Sequence, residues 1–249
     1  MDLTILTVVK NNKQGIEKTI LSVLGQKKIK FKYIVVDGVS KDGTSEIINK
    51  YRNKLTHIRE NDKGIYSALN KGILHSKSEY IGILHSGDIY KNKYTLSKIL
   101  KFIKEKKLDC SSFDLIYKKK NKIVRFWHLP IKKLSYKNFY KIAHPTLVIK
   151  NKILKKLKYN SKFKISGDTD FLIRLSKIKN LKYEYKSMLV QINQYGGVST
   201  NKSYLFQKVL EDFKILKKYF PQYYFIIYLK KIFIKIMSFI KFTKINNND

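Results

Sequence analysis

Phe31-Lys32-Tyr33-Ile34-Val35-Val36-Asp37-Gly38-Val39-Ser40-Lys41-Asp42-Gly43-Thr44 decides the fold. An aromatic and β-branched run stops on an acid and a glycine, and an Asp-Gly-Thr that can start a helix follows. The same order recurs on both sides of it. Leu3-Thr4-Ile5-Leu6-Thr7-Val8-Val9 runs into Lys10-Asn11-Asn12, the weaker run Leu55 to Ile58 is followed by Asp62-Lys63-Gly64, and Tyr80-Ile81-Gly82-Ile83-Leu84-His85 runs into Ser86-Gly87-Asp88. Between these runs lie segments with helical spacing: Gly15 to Gln26 with Ile16, Ile20, Val23 and Leu24, a helix from Asp42 with Ile47, Ile48 and Tyr51, Lys63 to His75, and then Leu96 to Lys106. Strand alternating with helix predicts an α/β fold with a parallel sheet and right-handed crossovers. In such sheets ligands bind outside the carboxyl ends of the strands. Asp37, Asp62 and Asp88 all fall at those ends, in a chain with only 18 Asp+Glu against 53 Lys+Arg.

The formal charge of +35 suits an anionic partner such as nucleic acid, an acidic membrane surface or a phosphorylated substrate. A composition rich in Lys, Ile, Asn and Tyr accounts for part of it, but not for where basic clusters fall. The 43% hydrophobic content is that of a globular protein with a core. One cysteine, Cys110, excludes an internal disulfide framework and suits a reducing compartment. The opening Met1-Asp2-Leu3-Thr4 lacks the basic segment and long apolar stretch of a secretion signal, so a cytoplasmic protein is expected. His57, His75 and His128 have no metal-ligand spacing with Cys110, and no zinc site is expected.

After about residue 107 the pattern is less regular. Cys110 to Tyr117 and Lys122 to His128 read as strands of a hairpin, Leu147-Val148-Ile149 and Leu189 to Ile192 as strands, and Asp168 to Ile178 as a helix. Gly196-Gly197-Val198-Ser199 reads either as a loop closing over substrate or as a plain chain reversal. Tyr219 to Phe242 is different: on a helix, Lys230, Lys231, Lys235, Ser238 and Lys241 share an arc of about 140°. Ile226, Leu229, Phe233, Ile236, Met237 and Ile240 occupy the rest. The apolar run Tyr223 to Leu229 is too short to span a bilayer, so residues 219–242 are expected to lie on an anionic membrane surface, with packing on the core or in a dimer as the alternative.

Four segments in order, Thr7 to Asn12, Val35 to Thr44, Asp62-Lys63-Gly64-Ile65-Tyr66-Ser67-Ala68-Leu69-Asn70-Lys71-Gly72, and Tyr80 to Asp88, resemble the family 2 glycosyltransferases. These are nucleotide-sugar enzymes of the GT-A fold, and the resemblance covers about residues 3 to 200. Asp62 to Tyr66 and the Ser-Gly-Asp end look most like a subgroup assigned to exopolysaccharide, capsule or lipopolysaccharide assembly. The resemblance implies a GT-A-like open, mostly parallel sheet flanked by helices over residues 1–200, with a nucleotide-sugar half (1–106) and an acceptor half (107–200), then an amphipathic basic helical tail (201–249).

It further implies that Thr7, Val9, Asn11, Asp37, Asp62, Lys63, Gly64, Asn70, Ser86 and Gly87 bind the donor, a nucleoside-diphosphate sugar with UDP the first expectation. Asp37 would accept the imino hydrogen of a pyrimidine and Asp62 would sit against the nucleoside; on residues alone either also reads as a turn or helix cap, as Asp42 does. Where the family carries Asp-x-Asp this chain has Ser86-Gly87-Asp88, which leaves Asp88 to hold Mg²⁺ or Mn²⁺ and Ser86 or His85 to replace part of the lost acid. Ile165 to Leu175 resembles the family's Glu-Asp segment, with Gly167 in place of the Glu and Asp168 as the implied general base. Asp170 is the rival, and equally reads as a cap or as the partner of Arg174 four residues on. His144-Pro145-Thr146 resembles a segment near the acceptor.

The implied reaction is transfer of one sugar, with inversion, to a hydroxyl of a saccharide or lipid-linked saccharide at the inner face of the cytoplasmic membrane. The alternative is a basic nucleic-acid-binding protein, suggested by the charge and 18 Tyr. No zinc-finger, RNA-recognition or helix-turn-helix pattern accompanies it, so nucleic acid is not expected as a partner. A nucleotidyltransferase would need a glycine- and arginine-rich phosphate loop that the N-terminal region lacks.

Overall fold

The structure is a computed structural model and describes residues 1–120, 122–196 and 204–246, with side chains to residue 239. The chain alternates strand and helix through its first half: β1 (Leu3–Val9), α1 (Lys13–Leu24), β2 (Lys32–Asp37), α2 (Thr44–Asn49), β3 (Thr56–Arg59), α3 (Ile65–His75) and β4 (Tyr80–Ile83). Then come β5 (Ile89–Tyr90), α4 (Thr95–Glu105), β6 (Cys110–Lys119), β7 (Lys122–Trp127), β8 (Val148–Lys150), α5 (Asn151–Leu157), α6 (Gly167–Ser176), β9 (Tyr183–Gln194), α7 (Leu205–Tyr219) and α8 (Tyr224–Asn246). All seven residues of β1 are buried, as befits a central parallel strand covered on both faces.

The sheet runs β3-β2-β1-β4-β8-β6-β9-β5, with β7 hairpinned onto β6. β3, β2, β1 and β4 are parallel, and β6 and β9 are parallel to each other. β8 is antiparallel to both β4 and β6, so β6 again points the same way as β4. The chain leaves β1 toward β2 and β3, then returns across β1 to β4. The resulting switch point, between the carboxyl ends of β1 and β4, is where such sheets open a crevice. Registers Val9↔Asp37↔Arg59 and Leu6↔Ile83 bring the loops after β1, β2, β3 and β4 to one rim.

Two apolar layers hold the sheet. Leu6, Val8, Ile34 and Val36 pack under α3, α6 and α7 through Leu69, Ile73, Phe171, Ile173, Ile215 and Leu216. Leu3, Ile5, Val9 and Val35, on the opposite pleat, pack under α1 and α4 through Ile16, Ile20, Leu96 and Ile103.

Three features differ from the sequence expectation. β9 is twelve residues long rather than four, because its first half pairs with β6 through bulges that break the alternation. The helical tail is two helices. Phe220, just before Pro221, has an extended φ of −142°, because proline excludes a helical residue before it. Nor do α7 and α8 stand apart: Ile215 and Leu216 are fully buried, and Tyr224, Ile227 and Tyr228 pack on the same core. Gly197, Val198 and Ser199 of the glycine loop lie outside the described residues, as do the side chains of Ile240, Lys241 and Phe242.

Candidate active site

The loop after β1 stitches the rim together. Asn11 has a positive φ of 52°, its N–H donates to Ser40 Oγ (2.8 Å), and its Oδ1 accepts Lys41 N–H (2.9 Å). Asn12 reaches the other way: its Nδ2 donates to Ser86 Oγ (2.9 Å) and Ser86 O (3.1 Å). One pair of asparagines thus fixes the loops after β2 and β4 relative to each other. Asp42 accepts Thr44 N–H and Lys13 N–H, closing a turn ahead of α2 and tying it to the start of α1. Lys10, Asn11, Gly38, Val39, Lys41 and Asn61 line a cleft of about 500 Å³ here.

Asp37 is fully buried. Its Oδ1 accepts the N–H (2.9 Å) and hydroxyl (2.6 Å) of Ser40, and its Oδ2 accepts the Ser45 hydroxyl. Arg59 Nε, which donates to Ser45 Oγ, lies 3.8 Å from Asp37 Oδ2. The carboxylate therefore orders the loop after β2, and both its oxygens are engaged. Asp62 sits differently: Oδ1 accepts Gly64 N–H (2.9 Å), while Oδ2 lies over Gly38, where any Cβ would collide with it. Glycine at 38 makes room for the Asp62 carboxylate in the cleft. Gly64 has a φ of 125° that side chains rarely adopt, and open space stands beside it. Lys63 is exposed with no hydrogen bond or ion pair among the described residues.

Other residues expected at the donor face inward. Thr7 is buried in the sheet, donating to Leu84 O (2.7 Å), and Val9 belongs to the core. Asn70 spends both amide atoms on the backbone of Tyr159, at 2.8 Å each. These three build the site's walls and present no free group to a ligand.

The Ser86-Gly87-Asp88 turn is held from below by Thr19, whose hydroxyl donates to Asp88 O (2.8 Å) and accepts Gly87 N–H (2.9 Å). Gly87 takes a φ of 101° there. Asp88 is 7% exposed; Oδ1 accepts Gln194 N–H (2.9 Å) and Oδ2 has no hydrogen bond among the described residues. Burial raises its pKa to about 7, against the opposing pull of Gln194 N–H and Lys18. Among the described residues no three His, Cys, Asp or Glu side chains converge on one point. Asp88 Oδ2 is the carboxylate oxygen this turn offers to a metal. That fits a hard cation such as Mg²⁺ or Mn²⁺, which keeps most of its shell as water and substrate phosphate oxygens. His85, beside it, is held neutral: burial, then the His144 imidazole, lowers its pKa to about 4, and its Nδ1 has no partner.

Asp168 opens α6. It is half-buried, and its Oδ1 accepts Thr169 N–H (2.8 Å) and faces the Tyr66 hydroxyl at 3.5 Å. Tyr66 donates to Ile165 O (2.8 Å), and its ring fills the space a side chain at 167 would need. By the resemblance, Gly167 stands where a glutamate is expected, and α3 leans a tyrosine into the space beside it. The segment before Asp168 is clamped by Glu211 of α7, whose carboxylate accepts the N–H groups of Lys164, Ile165 and Ser166 at 2.8–2.9 Å. Asp170, the rival base, is 1% exposed, bonded to Arg174 (2.8 Å) and to the Tyr219 hydroxyl (2.9 Å). It ties α6 to α7 and turns away from solvent. His144 is likewise buried, its Nε2 2.8 Å from Tyr159 Oη and its ring packed on Tyr159 and Phe171. Burial lowers its pKa, which leaves a neutral imidazole close enough to feel the Asp168 charge.

Tyr117 of β6 lies within electrostatic reach of both Asp88 and Asp168: burial pushes its phenol up to about 12 against the pull of Arg125, and the two aspartates add to the rise. The start of α6 adjoins the first turn of α3 through Tyr66, whose hydroxyl lies 3.5 Å from Asp168, and so stands beside the helix that follows the Asp62 loop of the rim. Asn12, Tyr66, Tyr117 and Glu211 went unread in the sequence. Asn12 and Tyr66 stand inside motifs quoted for other residues. Glu211 and Asp212 had a signal: they are the only acids between Glu184 and the terminal Asp249.

The chain matches the description Glycosyl transferase family 2 over residues 4–181. It is 31% identical over 172 residues to the uncharacterized glycosyltransferase MJ1057 of Methanocaldococcus jannaschii, covering 64% of this chain and 59% of that protein. It is 30% identical over 135 residues to the putative teichuronic acid biosynthesis glycosyltransferase TuaG of Bacillus subtilis, covering 51% of this chain and 53% of that one. The chain therefore spans little more than half the length of both relatives. In fold it is similar to S. aureus TarS 1–349 in complex with UDP-GlcNAc, with a TM-score of 0.71 at 20% identity over 87% of this chain and 65% of that one. With the motifs of the rim and a family match that covers most of the chain, this protein belongs to glycosyl transferase family 2.

Proposed function

We propose that this protein transfers a sugar from a nucleoside-diphosphate sugar to a hydroxyl of a saccharide acceptor, with inversion, in cell-surface polysaccharide synthesis. The observation that carries the reading is the half-buried Asp168 at the start of α6, 3.5 Å from the hydroxyl of Tyr66 in the first turn of α3, the helix that follows the Asp62 loop of the rim. The donor's base and ribose would lie in the cleft over Gly38 and Asp62, and a UDP donor is favoured by likeness to TarS, whose structure holds UDP-GlcNAc. A polysaccharide acceptor is suggested by TuaG, named for teichuronic acid biosynthesis.

Asp168 accepts the proton of the acceptor hydroxyl as its oxygen bonds to the anomeric carbon. The bond from that carbon to the diphosphate oxygen breaks, and its electron pair leaves with the nucleoside diphosphate. One displacement inverts the centre. Asp88 Oδ2 would hold a divalent cation, which when bound supplies charge neutralisation for the departing diphosphate. Burial keeps the Tyr66 and Tyr117 phenols protonated, so neither competes with Asp168 as the proton acceptor.

The acceptor's carrier is proposed to be a lipid at a membrane face. α8 leaves Phe225, Ile226, Leu229, Phe233 and Ile236 exposed, although no described helix is long and apolar enough to cross a membrane.

The test is a panel of UDP-, GDP- and dTDP-sugars, scored first by binding and then by transfer. A stabilising donor, a product of inverted configuration, and loss of transfer by about 10²–10⁴-fold in Asp168→Asn with donor binding retained are expected. Normal transfer by Asp168→Asn would refute the base assignment; no nucleotide binding at all would refute the reading.

A further inference from the structure

The sequence pattern placed the lysines of the last helix toward an anionic surface. The structure turns two of them inward. Lys231 Nζ donates to Asp212 Oδ1 (2.8 Å) and to Thr169 Oγ1 (2.7 Å), the residue next to Asp168. Lys208, from α7, lies 3.8 Å from the other oxygen of Asp212. Lys235, one turn further along α8, is half-buried with no hydrogen bond or ion pair among the described residues, and its nearest charges are dominated by Lys208, Arg125 and Lys231. Arg125, from β7, is 4% exposed; its Nε donates to Ser238 Oγ (2.6 Å), its guanidinium lies over the rings of Tyr117, Trp127 and Phe239, and its Nη2 is buried without a partner. Among the described residues no carboxylate pairs with it.

Of these four cations only Lys208 and Lys231 pair with the one buried carboxylate, Asp212, and Lys235 and Arg125 have no ion pair among the described residues. Cations desolvated together with so little compensation are unfavourable to folding. Burial and the neighbouring cations lower Lys235 to about 8. Such a cluster is retained most simply where an anion completes it. An anion here would touch the Asp168 side of the cleft, since Lys231 bridges to Thr169.

We propose that Arg125, Lys208, Lys231 and Lys235 form a phosphate-binding site, built by β7 and the two C-terminal helices beside Asp168, that takes a diphosphate group of a substrate. The site rests on the glycosyl-transfer reading for its substrate, although not for its existence. Two substrates carry this chemistry: the nucleoside-diphosphate donor, and an acceptor linked to lipid through a diphosphate.

The test titrates the full chain with inorganic pyrophosphate in EDTA by calorimetry. Wild type binds; Lys235→Gln and Lys208→Gln, whose wild-type circular dichroism and cooperative melting would show intact folds, each weaken binding about tenfold or more. Lys30→Gln, on the exposed loop before β2, controls for bulk charge. Titrations with UDP and with farnesyl diphosphate in detergent micelles then separate the sources. Weakened UDP binding in Lys235→Gln assigns the site to the donor, and weakened farnesyl diphosphate binding with UDP unchanged assigns it to the acceptor. Pyrophosphate that fails to bind wild type, or that Lys30→Gln weakens as much as Lys235→Gln, overturns the proposal; so does a Lys235→Gln variant that binds both substrates' diphosphates like wild type. UDP binding in wild type alongside any of these would leave the glycosyl-transfer reading standing.

Discussion

Asp168 and Asp170 show how two acids two residues apart come to do different work. Both stand in the first turn of α6, where acids favour the helix dipole. Asp170 points to Arg174 and Tyr219 and is closed off; Asp168 points to the cleft and keeps one oxygen without a protein partner. Asp170→Ala should therefore read out as stability, with about 3 kcal/mol lost in urea unfolding because Arg174 is left without its buried partner. Asp168→Asn should unfold near the wild-type midpoint. Gly167→Ala is the sharper probe of this corner. A methyl there would stand 2.7 Å from ring carbons of Tyr66, a ring already stacked 5.7 Å from Tyr159. About 1–3 kcal/mol of overpacking is expected, and Tyr66→Leu in the same chain should recover part of it. A double variant no more stable than Gly167→Ala would show that Tyr66 is not what reserves the space. The sequence made Asp168 visible as an acid beside a missing glutamate. That a tyrosine from α3, 102 residues away in sequence, fills the gap was not legible, because period and spacing say nothing about which distant ring arrives.

The elements divide by how their signals arise. β1 to β4 and the helices between them read out within about two residues, because each is a local pattern: β-branched runs buried on both faces, then apolar spacing with a Gly or Asp at the start. β5, two residues long, and α5, with Asn151 buried at its start, depend on pairing with β9 and on packing against α3, so no local period announces them. α7 is the element whose work was hidden. Its Glu211 satisfies three backbone N–H groups ahead of Asp168, and Glu211→Ala should leave all three unpaired. We expect about 1–3 kcal/mol lower stability and a fall in kcat larger than any rise in KM for the donor, with Glu211→Gln recovering part of both. A stability loss with kcat unchanged would make Glu211 purely structural. α8 offers a pH test. Lys235 is lowered to about 8 in the fold, by burial and by Lys208, Arg125 and Lys231, against about 10.4 unfolded. Between those values the unfolded chain binds more protons than the native one, so this lysine's unfavourable contribution fades and stability rises with pH. Lys235→Met should melt higher than wild type at pH 7 and lack the extra gain wild type shows from pH 8 to 10. Equal pH slopes in the two proteins would remove Lys235 as the cause.

Across the whole molecule the arrangement inverts the usual amphipathic surface helix. A helix at a protein surface normally turns its apolar side to the core. α8 turns Lys231, Lys235 and Ser238 inward to Asp212 and Arg125, and leaves Phe225, Leu229, Phe233 and Ile236 outside, with Leu205, Phe206 and Leu210 exposed on α7. The sequence held both halves of this pattern, the lysine arc and the apolar remainder. It could not say which faced the protein, because that was decided by Asp212, a buried acid one helix earlier in a chain where acids are rare. The consequence concerns how the protein would meet a bilayer. With two of its cations spent inside, α8 would bind lipid through apolar side chains, each contributing about 1.5–3 kcal/mol when fully buried, more than through electrostatic attraction of about 1 kcal/mol per lysine. Phe225→Ser with Phe233→Ser should then reduce partition onto vesicles of mixed anionic and neutral lipid by more than about tenfold, leaving UDP and pyrophosphate binding at wild-type strength. Raising salt to a level that screens surface charge should cost the wild type less binding than those two substitutions do. Vesicle binding that vanishes in salt and ignores the double substitution would instead place the contact on the exposed lysines elsewhere on the chain, and the outward apolar face of α8 would need another partner.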